Sequence, residues 1–133
     1  MIGYFPDVSL IWMLQQITLS TLKLKLFTNN VTPSDNSVIS DFTLATWTGY
    51  VDVSLVSGTW VSLGVASHVG TIVYPACVFS NSSGSNQSAY GWIITNSAGT
   101  QLISCGLLDA APVTIANGST YSFIPTLGDL SQN

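Results

Sequence analysis

The spacing of apolar and polar positions changes once along this chain, near residue 20. Before that point, Pro6-Asp7 reads as a helix start, and residues 8–17 (VSLIWMLQQI) predict about three helical turns. Val8, Leu10, Ile11, Trp12, Met13, Leu14 and Ile17 cover too much of the circumference for one face of a surface helix. The segment is expected either to be buried on nearly all sides or to dock on a neighbouring subunit.

From Thr21 the period is two. In TLKLKLF, Leu22, Leu24 and Leu26 share one face and Lys23 and Lys25 the other. The lysines read as a solvated face that deters edge-to-edge pairing. Turn chemistry marks a loop at Asn29-Asn30 and over 32–37 (TPSDNS). Residues 50–56 (YVDVSLV) predict a strand with Val51, Val53 and Leu55 on one face and Tyr50 on the other, and Ser57-Gly58 predicts a hairpin turn into 59–63. The β-branched and aromatic run 71–79 contains Pro75, a mark of an edge strand or a bulge. Residues 80–88 (SNSSGSNQS) read as a flexible polar loop. Strands at 90–95 and 101–107 flank a hairpin loop containing Gly99, and 113–116, Asn117-Gly118 and 119–124 predict a last hairpin. Residues 128–133 read as a mobile tail. About eight or nine short strands separated by turn signals, with no βαβ alternation, predict an all-β fold. An antiparallel β-sandwich or jelly-roll-like barrel with one short N-terminal helix fits best. Its parts are an apolar helix or arm (1–20), the sandwich (21–127) and the tail (128–133).

Composition changes the picture at the surface. The 133 residues include two lysines, no arginine and six acidic side chains, so 6% of the chain is charged against about 25% in ordinary soluble domains. A compact monomer of this mass exposes roughly 6,700 Å², which leaves roughly 800 Å² per charged side chain, about one partner's share of a standard interface. Such a surface suits permanent contact with copies of itself or with a larger assembly. The net charge of −4 argues against nucleic acid, which calls for clustered Lys and Arg, and against a polybasic membrane surface. The most apolar long window, 61–79, is too polar and too broken by Pro75 for a spanning helix. No basic region precedes the apolar stretch 8–14 and no A-x-A site follows it, so a secretory signal is not expected.

Candidate chemistry is sparse. His68 is the single histidine, and no G-x-S-x-G elbow accompanies it. A Cys77–His68 pair would need an activated thiolate, whereas a cysteine in an apolar strand is inert. Cys77 and Cys105 are either bridged or two free thiols in strands; nothing marks the chain as secreted, which favours the thiols. The aspartates are scattered without a D-x-D, and no zinc spacing occurs, so neither a metal nor a cofactor is expected. Asp41 and Asp52 carry no further sign of two-carboxylate glycosidase chemistry. Asn30, Asn81, Asn86 and Asn117 begin sequons of the kind that arise by chance in a chain this rich in Ser, Thr and Asn. Trp47, Tyr50, Trp60, Tyr90 and Trp92 can be read as a sugar-stacking platform or as core and subunit-interface packing. The missing charge favours packing, and Tyr90 and Trp92 are expected on one face of their strand.

The run Leu22-Lys23-Leu24-Lys25-Leu26-Phe27-Thr28-Asn29-Asn30-Val31-Thr32-Pro33 and the segment Asp41-Phe42-Thr43-Leu44-Ala45-Thr46-Trp47-Thr48-Gly49-Tyr50 resemble a pattern in small structural proteins of tailed-bacteriophage virions. In these a short apolar helix precedes an L-x-L-x-L-[FY]-x-N-N-x-x-P strand and loop, and a D-F-T-x-A-x-x-x-G-Y segment follows. Leu44 stands where that pattern usually has glutamate. The likeness covers residues 5–60. It implies a non-enzymatic virion component assembled in the bacterial host cytoplasm, and it carries over no catalytic residue. The expected role is a capsid decoration (cement) protein, a dimer or trimer that clamps copies of the major capsid protein through many weak sites. Residues 4–17 would anchor to a neighbour, and deletion of residues 1–17 is expected to abolish capsid binding and leave the sandwich folded. Ile11, Trp12, Met13, Leu14, Tyr50, Trp60, Tyr90 and Trp92 are the expected contact residues. The alternative is a carbohydrate- or receptor-binding module of a tail, working through exposed Trp and Tyr.

Overall fold

The computed structural model describes residues 6–66 and 69–131. Helix α1 (Asp7–Ile17) is followed by β1 (Leu22–Phe27), β2 (Val53–Leu55), β3 (Ser62–Ala66), β4 (Val69–Val73), β5 (Cys77–Ser80) and β6 (Gln87–Ala89). Then come β7 (Gly91–Asn96), β8 (Leu102–Leu107), β9 (Val113–Ile115), β10 (Thr120–Phe123) and β11 (Thr126–Ser131). Every strand pairing is antiparallel. The sheets run β2-β1-β7-β8, β11-β4-β3, β10-β5 and β6-β9. The fold is therefore all-β and sandwich-like, with one short helix. No helix among the described residues is long and apolar enough to cross a membrane.

The two-residue period of β1 builds the core. Leu22, Leu24 and Leu26 are buried and meet Leu55, Ile72, Tyr74, Cys77, Phe79, Ile94, Ile115 and Leu127 in one cluster. The opposite face of the same sheet is also covered near its Phe27 end. Phe27 and Ile93 pack with Phe42, and the two phenylalanine rings lie 4.8 Å apart. The long connection after β1 thus folds back over the sheet. Its return closes a ladder with the end of β1: Thr28 N–H donates to Thr43 O (2.8 Å) and Ala45 N–H to Leu26 O (2.9 Å). The Asn29 side chain completes the closure, donating to Asp41 O and accepting from Thr43 N–H, each at 2.8 Å. Segments 22–33 and 41–50 are therefore bonded to each other.

Several expectations are corrected. β1 is no edge strand, because it pairs with β2 on one side and β7 on the other. Its lysines are half-buried and engaged: Lys23 Nζ donates to Ser54 Oγ (2.8 Å), and Lys25 Nζ lies 3.6 Å from Asp52 Oδ2. The turns at Ser57-Gly58 and Asn117-Gly118 are present, closed by Thr59 N–H to Val56 O and Ser119 N–H to Ala116 O. They are not hairpins, since β2 and β3 join different sheets, as do β9 and β10. A turn reverses the chain locally, while the partner of each strand is set by where its apolar face is buried. The predicted hairpin at 96–101 does form, between β7 and β8. The run 71–79 divides at Pro75 into β4 and β5. Residues 128–131, read as part of a mobile tail, belong to β11 and pair with β4.

The N-terminal helix is likewise not a separate arm. α1 lies across β3 and β4 and buries Leu10 and Leu14. Gly70 permits the approach, for a Cβ there would lie 2.9 Å from Leu14 Cδ1. Two fully buried leucines stabilise the packing by about 1.5–3 kcal/mol each.

Candidate functional site

The residues expected to make contacts fall into distinct environments. On α1, Leu14 is buried in the chain's own core, Ile11 and Met13 are half-buried, and Trp12 is 60% exposed. Val8 and Leu19 are 72% and 64% exposed. Val8 and Trp12, four residues apart, share one side of α1, and Leu19 follows just after the helix ends. Leu19 also lines a cleft of about 490 Å³ with Gln15, Gln16, Trp60 and the exposed Val61. Exposed apolar side chains thus stand on α1, just after it and on the segment before β3.

The five aromatic residues considered as a platform are scattered. Trp60 packs edge-on against Tyr74 (5.1 Å), and its Nε1, though buried, has no hydrogen-bond partner among the described residues. Trp92 lies over Gly106, where a Cβ would come 2.8 Å from its ring, and lines a second cleft of about 600 Å³ with Tyr121 and Phe123. Tyr90 packs with Phe27 and Ile93, whereas Trp92 packs with the main core, so the two do not share a face. Tyr90 precedes β7, and the strand's alternation begins only after it.

Tyr50 points inward, because its hydroxyl accepts the Leu26 N–H at 2.9 Å and its ring stacks on Phe79 at 5.7 Å. Burial pushes its phenol well above the ordinary range, with nearby Asp52 adding to the shift. Trp47 meets Tyr50 edge-on at 5.3 Å and donates from Nε1 to Ser80 O at 2.9 Å. It lines a third cleft, of about 460 Å³, between residues 43–48 and 83–88.

One wall of that cleft corrects another expectation. Residues 80–88 are not a loose polar loop but are folded around Asn81, which is 1% exposed. Asn81 Nδ2 donates to Ser85 O and Ile115 O, both at 2.8 Å, and Oδ1 accepts from Ser83 N–H (3.0 Å) and Ser83 Oγ (2.8 Å). Its backbone bonds to Gly118 and Ser119, and Asn117 Oδ1 accepts from Gly84 N–H. The sequence signal for this knot was Asn followed by Ser-Ser-Gly, an Asx-turn composition.

Cys77 and Cys105 are unbridged; burial pushes the Cys77 thiol up to about 11 and raises that of Cys105. His68 lies outside the described residues, as does Tyr4 of the expected anchor. No group of three metal-ligating side chains occurs among the described residues. Asp41 caps the 3-10 turn Ile39–Asp41 by accepting Val38 N–H at 2.9 Å, and Asp52 faces Lys25, so each carboxylate has a structural task.

In comparisons with known proteins the chain matches no family model, no curated protein and no solved structure.

Proposed function

We propose that this chain is a non-enzymatic structural protein of a tailed-phage virion, most specifically a decoration or cement protein on the capsid. The observation that carries the reading is the exposure of the apolar side chains Val8, Trp12, Leu19 and Val61 on and beside α1, each at least 60% exposed. Exposed apolar side chains scattered singly need no explanation, but several large ones exposed on and beside one short helix favour a protein contact. Aromatic residues are the usual anchors of such contacts, and Trp12 is the exposed aromatic of this set. The scarcity of charge over the rest of the chain and the phage-like pattern of residues 22–50 support the same reading. In it the partner is the major capsid protein, the chain is a homodimer or homotrimer, and α1 contributes its outer side while its inner side stays in the fold.

The double variant Trp12→Asp/Leu19→Asp tests this. Both side chains point outward, so the fold is expected to survive, with a stability change near the ±0.5 kcal/mol typical of surface sites. Binding to capsids stripped of this chain, followed by co-sedimentation, is expected to fall at least about tenfold, as for loss of a hot-spot residue. Unchanged binding by the folded variant would refute the assignment of this face.

A further inference from the structure

We infer that the cleft between residues 43–48 and 83–88 is a binding site for a neutral saccharide. This goes beyond the virion role and does not depend on it. The cleft holds about 460 Å³, within the range of small-molecule sites. Its lining is Thr, Ser, Gln, Leu and one Trp, without an ionisable side chain.

The polar groups are free where a ligand would need them. The hydroxyls of Thr43, Thr46, Thr48 and Ser88 make no hydrogen bond among the described residues, so each offers one donor and two acceptor lone pairs. Gln87 is held by its amide nitrogen, which donates to Ser83 Oγ (2.9 Å) and Ser85 Oγ (3.1 Å). Its Oε1 remains as an acceptor of fixed position. Trp47 is fixed too, by its bond to Ser80 O and its edge contact with Tyr50.

A pyranose ring presents two kinds of surface: hydroxyls that both donate and accept, and C–H patches that lie against an aromatic ring. Hydroxyl-rich walls beside a fixed indole match both. An anionic ligand would need a cation, and the two lysines are committed to Ser54 and Asp52. An apolar ligand would strand the four hydroxyls without water, at a cost. The walls are already tied together, since Ser82 N–H donates to Thr48 O at 2.9 Å and the Asn81 knot holds the far side. Binding therefore has little ordering to offset.

The test is a two-dimensional amide NMR titration of the full chain with lactose, cellobiose, maltotriose and N,N′-diacetylchitobiose, each to about 10 mM, enough to detect millimolar affinity. At least one sugar is expected to shift amides confined to residues 43–48 and 83–88. The double variant Thr46→Ala/Ser88→Ala, which leaves the Trp47 packing intact, is expected to weaken that binding roughly tenfold. Trp47→Ala is expected to abolish it, and if that variant fails to fold the hydroxyl variant decides. Silence with every sugar, shifts centred instead on Trp92 and Tyr121, or wild-type binding by the hydroxyl variant would each overturn the proposal.

Discussion

Asn81 is where one side chain holds the most structure. Its amide satisfies two backbone carbonyls and two donors from Ser83 while itself buried. Asn81→Ala would leave Ser85 O and the buried Ile115 O without that donor, and a buried group so orphaned costs about 1–3 kcal/mol. Chemical denaturation is expected to show a loss in that range or above it; a variant as stable as wild type would remove Asn81 from the centre of this loop. The same burial occupies the amide nitrogen that a glycan would require, so the sequon at Asn81 is a structural motif. A second residue-scale prediction concerns Cys77. Its thiol, ordinarily at 9.0, is raised by burial to about 11 in the fold. The unfolded chain therefore releases this proton first as pH rises, so the contribution is complete below pH 9 and is lost between 9 and about 11. The melting temperature is expected to fall across that window, and Cys77→Ala is expected to flatten the fall. An identical alkaline profile in the variant would count against a buried, protonated Cys77. At this scale the sequence was informative about type but not about partner. It marked both cysteines as strand thiols, yet the Asn29 clamp joins residues twelve and fourteen positions apart, a distance that no local pattern encodes.

Among the elements, α1 shows what periodicity does and does not carry. The apolar spacing located the helix within a residue of its start and gave its end, and the excess of apolar positions left two outcomes open. The helix is covered on one side only, which corrects the expectation of burial on nearly all sides: Leu10 and Leu14 are buried under it, while Val8 and Trp12 face outward. Leu14→Ala should therefore destabilise the whole domain by about 2–5 kcal/mol, the range for a buried leucine. Deletion of residues 1–17 should uncover the core beside Gly70 and Ile72 rather than leave an intact sandwich. Urea denaturation of the point variant checks this, and a loss under 1 kcal/mol, nearer the surface range, would mean that α1 is only loosely attached. Turn chemistry was equally local in reach. It placed Ser57-Gly58, Asn96–Gln101 and Asn117-Gly118 correctly as reversals, but only the second joins neighbouring strands. Lys23 and Lys25 misled in the same way, since alternating lysines describe a polar face, and a polar face can as well pair across to Ser54 on β2 and Asp52 just before it as mark a free edge.

For the molecule as a whole, scarcity of charge is the property that every other observation has to accommodate. With 6% charged residues and its lysines bonded within the fold, the chain meets its surroundings through hydroxyls, amides and apolar side chains. An apolar face along α1 and a hydroxyl-lined cleft beside Trp47 are two distinct products of that composition, one suited to a protein neighbour and the other to a neutral polar ligand. The all-β architecture was legible from strand spacing and turn signals, and the excess of apolar positions in 8–17 already marked Trp12 as a contact; the cleft was not legible, because it combines residues 43–48 with 83–88. The most direct test of the virion role is the copy number of this chain in purified particles, measured by quantitative mass spectrometry against the major capsid protein. The account predicts a simple ratio, such as one copy per capsid subunit or a small whole-number fraction of it. Absence from the particle, or only a few copies in each, would contradict a decoration protein of the shell.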